Sequence, residues 1–132
     1  MRPEPGSPRD WLARAESNLA LAKQSKPAEA FWEDMGFQAQ QAAEKALKAV
    51  CRQRAVPFRR THDLDELGKA LEESGLEIPA EVKDSAVLTG FALDARYPGL
   101  LEPVGEIEFQ HAVGIAEAVV AWARGVLGED AR

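Results

Sequence analysis

Apolar residues recur at three- and four-residue steps through most of this chain, and no stretch alternates apolar and polar residues as a half-buried strand does. The segments between its eight prolines are rich in Ala, Leu, Glu and Lys, residues that lose little on entering a helix. This pattern predicts five helices. The first spans about 8–24, with Ser7 as N-cap, Pro8 in the first turn and Asp10 at the positive helix end, and with Trp11, Ala15, Leu19 and Ala22 on one face. The second and longest, about 28–54, carries Phe31, Met35, Ala39, Ala42, Ala43, Ala46, Leu47 and Val50 on its apolar side, and so many alanines imply close helix approach.

The third helix begins at "THDLDEL", where Asp63 and Glu66 have capping-box spacing and Leu64, Leu67 and Leu71 form the stripe. The fourth runs from Pro79 through "AVLTGFAL" to Tyr97, halted by Pro98, and is apolar on more than one face. The fifth, about 106–127, repeats Phe109, Val113, Ala116, Val120, Ala123 and Leu127. An all-α, up-and-down bundle of four to five antiparallel helices follows. One domain over 8–128 is expected, behind a disordered tail at 1–7 and with a frayed "GEDAR" at the other end.

Composition narrows the function classes. With 45% apolar and 29% charged residues, and no apolar run of membrane-spanning length, the expectation is a cytoplasmic protein without membrane contact. Cys51 is the only cysteine, so neither an internal disulfide nor a multi-thiolate metal site can form; its spacing from Leu47 reads as a small buried hydrophobe. A net charge of -6 excludes a surface devoted wholly to nucleic acid, so any anion site must be local.

Candidate chemistry is correspondingly sparse. His62-Asp63 is a dipeptide of metal phosphohydrolases, but those sites need further His and Asp ligands and the one other histidine is His111; no metal and no cofactor are expected. Gly36, Gly68, Gly75 and Gly90 stand apart, with no phosphate loop, and no Gly-x-Ser-x-Gly turn marks a serine hydrolase. Two basic clusters remain: Arg59-Arg60-Thr61-His62, and Arg96-Tyr97 within "DARYPG". Arginine beside histidine can clamp a phosphate, and a planar guanidinium beside an aromatic ring suits base stacking. The same residues also serve as helix caps and loop anchors. Along the second helix Gln41, Glu44, Lys45 and Lys48 form a polar edge, read by default as a solvated face with a Glu44–Lys48 pair.

Three stretches taken together carry a resemblance: "FQAQQAAEKALKAV" on the long second helix, Pro57-x-x-x-Thr61-His62-Asp63-Leu64, and "ARYP" closing the fourth helix. With "DWLARAESNLALA" ahead of them, they resemble the HEPN domain family of prokaryotes over about Trp11 to Leu127. The resemblance implies a four- or five-helix bundle, a homodimer, and pairing with a minimal nucleotidyltransferase in a two-component, toxin-antitoxin-like module. It also implies nucleotide or RNA binding, or ribonuclease action. Ribonuclease members carry Arg followed four to six residues later by His; here no Arg has His at that interval, since His62 follows Arg60, Arg59 and Arg54 by two, three and eight residues and Arg96 is far ahead of His111. The reading that results is a non-catalytic protein that binds nucleotide or RNA phosphate through Arg59, Arg60, His62, Arg96, Tyr97, Lys45 and Lys48. The alternatives are a metal-independent ribonuclease using His62 and Arg96, and a purely structural interaction module.

Overall fold

Ser7 starts the first helix as its sequence suggests: its Oγ accepts from the Asp10 N–H at 3.1 Å, and Asp10 accepts in turn from the Gly6 N–H at 2.9 Å. The computed structural model describes residues 2–93 and 104–130. Among these the elements are helices α1 (Pro8–Ala22), α2 (Trp32–Gln53), α3 (Leu64–Glu73) and α4 (Ala80–Lys83), a 3₁₀ turn (Asp84–Leu88), and helices α5 (Thr89–Leu93) and α6 (Glu106–Asp130). The molecule is an all-α bundle.

Helix α2 is its centre, packed against α1, α6, α3 and α5. Opposed ends show the directions. Trp32 and Phe109 meet with ring centroids 5.1 Å apart at one end of α2 and α6, and Arg54 pairs with Asp130 at 2.9 Å at the other, so these two helices run parallel. Ion pairs Lys23–Glu117 and Arg124–Glu16 place α1 antiparallel to α6. Ala39, Ala42, Ala43, Ala46 and Ala49 are fully enclosed, and this row of methyl groups is what lets three long helices approach closely. Leu47, Leu64, Leu67, Leu71, Leu88, Val119 and Val120 fill the remaining core, and the apolar positions read for α3 and α6 are all buried.

Three expectations change. Phe31 is two-thirds exposed rather than core, because α2 starts at Trp32, about four residues later than expected, which leaves Phe31 at the N-cap while Trp32 packs against Phe109. The continuous fourth helix is broken: the Ser85 hydroxyl donates to the Val82 carbonyl at 2.5 Å, a local bond that competes with helical pairing, and the chain tightens into the 3₁₀ turn before α5. Its proposed end at Tyr97 lies outside the described residues. Finally, α6 continues to Asp130, where Arg54 anchors it.

Two backbone features position the site described next. At the end of α2, Val56 N–H bonds to the Cys51 carbonyl at 2.8 Å and Ala55 adopts φ of 55°, a Schellman-type stop with alanine where glycine is usual. This sends residues 57–63 back along α2. Next, Phe91 of α5 lies against Gly36 so closely that its ring occupies the place of a Cβ there. Leu64 N–H donates to Thr89 Oγ1 at 3.1 Å, tying α5 to the start of α3.

Gly36→Ala is expected to destabilise the fold by about 1–3 kcal/mol through overpacking. In a Phe91→Ala background the same change should instead stabilise by up to about 1 kcal/mol, from helix propensity alone. Urea denaturation of the four proteins in the cycle measures both.

Candidate functional site

A helix with neighbours on almost every side has no solvated face to offer, and this decides the fate of the polar residues of α2. Gln40, Glu44 and Lys48, spaced by four, are all buried, at 0%, 3% and 7% exposure. The solvated edge read from the sequence is therefore wrong for Glu44 and Lys48 and holds only in part for Gln41 and Lys45, which are half-buried.

Glu44 is the hub. Its Oε1 accepts from His62 Nδ1 at 2.8 Å, from Gln40 Nε2 at 3.0 Å and from Gln41 Nε2 at 3.3 Å, while Oε2 accepts from Lys48 Nζ at 2.9 Å. Gln40 Oε1 accepts from Gln41 at 2.7 Å, and Gln40 Nε2 also reaches the His62 carbonyl at 3.3 Å. Burial pushes the Glu44 carboxyl upward, but the hydrogen bonds from Lys48, Gln40 and His62 outweigh it and hold the group below its ordinary 4.5. The ammonium of Lys48 is enclosed by the rings of Trp11 and Phe58, 5.4 and 5.6 Å from their centroids, and these two rings meet edge to face. Lys48, expected as a ligand contact, thus gives its charge to Glu44; a ligand reaches it only if the cluster opens.

His62 occupies the rim. Glu44 accepts from Nδ1–H, which turns Nε2 away from the carboxylate, and Nε2 has no partner among the described residues. The side chain is 55% exposed, so Nε2 is accessible. The flanking residues do the capping: Asp63 accepts from the Asp65 and Glu66 N–H groups at 3.0 and 3.3 Å, and Thr61 Oγ1 accepts from Asp63 N–H at 3.0 Å. Glu66 does not complete the capping box. It pairs instead with Arg59, at 2.9 Å, which raises the arginine's pKa and lowers its own. Arg60 is exposed and makes no ion pair among the described residues. Arg52 lies over Phe58, 4.9 Å from its centroid.

The fold therefore brings together His62, Glu44, Lys48 and the unforeseen Gln40, Trp11 and Phe58, with Arg59 and Arg60 on the same loop. Lys45 points to α1, donating to Asn18 Oδ1 at 2.9 Å. Arg96 and Tyr97 lie outside the described residues. The signal for the hub was present: Gln40, Glu44 and Lys48 alternate with alanines on both sides, and a polar row between two apolar rows of a central helix is enclosed. Chemically, a buried carboxylate that orients an exposed imidazole makes a proton-carrying group of fixed direction, able to donate to an anion or to accept from a hydroxyl according to its protonation. Cys51 is not part of it, since burial pushes its thiol up to about 11. No described helix is long and apolar enough to cross a membrane.

A family model for the HEPN domain matches residues 8–126. No curated protein and no solved structure matches.

Because the Glu44 carboxyl is held below 4.5, its stabilising effect is complete above that value and is lost as pH falls through the lower folded-state value. Glu44→Gln should therefore cost on the order of 3 kcal/mol at neutral pH, by stranding Lys48. It should also flatten the loss of stability below about pH 4.5. Urea midpoints measured from neutral to acid pH test both effects.

Proposed function

The chain belongs to the HEPN domain family, and we propose that within that family's nucleotide- and RNA-related range it binds the phosphate of a nucleotide or RNA without cutting it. The contacts assigned are Arg59, Arg60 and His62 on one loop with Arg96 and Tyr97, and Lys45 from the α1 side of α2; Lys48 is enclosed with its charge spent on Glu44 and reaches a ligand only if the cluster opens. One observation carries the reading. Of the described lysines and arginines, six make no ion pair: Arg2, Arg9, Lys26, Lys45, Arg52 and Arg60. All but Lys26 belong to the start of α1 and the residues before it, the second half of α2 or the loop after it. In a chain of net charge -6, such a concentration of unneutralised cations suits an anion. As the resemblance implies, the reading includes a second copy of the chain and a minimal nucleotidyltransferase as partners in a two-component module.

A fluorescently labelled single-stranded oligoribonucleotide should bind with strong salt dependence. Arg59→Gln with Arg60→Gln should weaken binding at least about tenfold and lower the slope of log affinity against log salt by roughly 1.4, about 0.7 for each phosphate no longer neutralised. Binding indifferent to salt and to these substitutions refutes the reading.

A second reading, metal-independent RNA cleavage, is favoured by one geometric fact, the 2.8 Å contact that aims His62 Nε2 outward. Such an imidazole can remove the proton of a 2′-hydroxyl, whose oxygen then attacks the adjacent phosphorus; the P–O5′ bond breaks, the 5′-oxygen leaves with a proton from the imidazolium or water, a 2′,3′-cyclic phosphate remains, and cations balance the charge on the phosphate. This reading predicts cutting of RNA in the presence of EDTA, abolished by His62→Ala and slowed by Glu44→Gln. Intact RNA after long incubation with the wild-type protein removes it.

A further inference from the structure

One of the unneutralised lysines, Lys45, faces a separate place. Between α1 and α2 is a cleft of about 210 Å³ whose charged and polar lining is Arg2, Asp10, Arg14, Ser17, Asn18 and Lys45. Three of these are cations and one is a carboxylate, so the walls carry a net charge of +2. Asp10 is committed already. It accepts from Arg14 Nε at 3.1 Å and from the Gly6 N–H, and the remaining N–H groups of the Arg14 guanidinium are left over.

Lys45 is half-buried and bound only to a neutral amide. Asn18 holds it in place, since the Asn18 Nδ2 donates to Gln38 Oε1 at 2.8 Å and so turns its Oδ1 to the ammonium. Around Lys45 stand Glu44, which favours its charge, and Arg14 and Lys48, which oppose it; burial opposes it most, and its pKa is lowered as a result. Glu44 is itself turned away to Lys48 and His62. A like-charged cluster that is partly desolvated costs stability in the free protein, and an anion between its members removes that cost.

We propose that this cleft is a second phosphate-binding site, in which Lys45 and Arg14 take one phosphate group, with Arg2, Ser17 and Asn18 at its edge. Lys45 retains two N–H donors beyond the one given to Asn18, and Arg14, which lines the same cleft, has terminal N–H groups that Asp10 does not take. The volume admits a phosphate with part of a sugar, so the ligand class is a nucleotide or one unit of an RNA strand. That the phosphate belongs to nucleic acid rests on the reading above; that the cleft takes phosphate does not.

The test uses the full chain with inorganic phosphate, a nucleoside monophosphate and a single-stranded oligoribonucleotide. Lys45→Gln removes the charge and leaves a neutral amide one atom shorter, whereas Lys45→Arg restores the charge. Wild-type protein should gain thermal stability from phosphate or nucleotide beyond any gain in Lys45→Gln at equal ionic strength. Lys45→Arg should recover this gain, and Arg59→Gln with Arg60→Gln should keep it. Oligoribonucleotide affinity should fall roughly tenfold in Lys45→Gln, with a salt slope lower by about 0.7. Equal phosphate stabilisation of wild type, Lys45→Gln and Arg14→Gln overturns the site. If phosphate stabilises only proteins with a cation at 45, while no variant alters oligoribonucleotide affinity, the cleft stands and the nucleic-acid reading fails.

Discussion

One buried carboxylate sets the arrangement of this molecule's functional end. Removed from water, the Glu44 side chain stabilises the fold only because donors from two elements converge on it: Gln40, Gln41 and Lys48 from its own helix, and His62 from the loop that follows. The loop is thereby pinned to α2 by a charge-assisted hydrogen bond that no apolar residue could replace. The carboxylate also requires Lys48, and an enclosed ammonium in turn requires the faces of Trp11 and Phe58. The start of α1, the end of α2 and the loop before α3 are thus joined through one polar cluster. Disturbing any member exposes the others to the cost of an unmatched charge.

Helix existence was legible in the chain because periodicity and caps agree. Ser7, Pro8 and Asp10 act at the start of α1 as read, Asp63 caps α3, and the spacing of Leu64, Leu67 and Leu71 matches their burial. Helix continuity was less legible. The segment after Pro79 has helical composition, yet the bond from Ser85 to the Val82 carbonyl and the approach of Phe91 to Gly36 arise only in the folded chain, and they break and place it. Phe31 shows the same limit in miniature: with the helix starting about four residues later than read, an apparent core position becomes an exposed N-cap.

The site was legible in its types but not in its contacts. That His62 and its arginines sit together follows from adjacency. That Glu44 lies beneath them does not, because an i,i+4 Glu–Lys pair looks alike on a solvated and on an enclosed face. What separates the two is the row of alanines on either side of Gln40, Glu44 and Lys48, which becomes informative only when α2 is known to be the central helix. Arg59 differs again: close to the histidine in sequence, it turns to Glu66 at the surface instead of joining the hub.

Charge pairing gives these local facts a direction. Away from the Glu44 cluster the described surface sets most of its cations against carboxylates: Lys23 with Glu117, Arg54 with Asp130, Lys69 with Asp65, Lys83 with Glu72, Arg124 with Glu16. Each such exposed pair adds little to stability, about 0–1 kcal/mol, but each also cancels a field that would otherwise attract anions. With acidic residues in excess, 22 against 16, a cation left uncancelled is the exception. Of the six exceptions, Arg2, Arg9, Lys45, Arg52 and Arg60 fall on or beside the elements that Glu44 joins and Lys26 alone lies elsewhere, so most of the residual positive field coincides with that cluster. On the reading proposed above, this locally positive end of an acidic body orients an approaching polyanion toward the imidazole rim and the α1–α2 cleft.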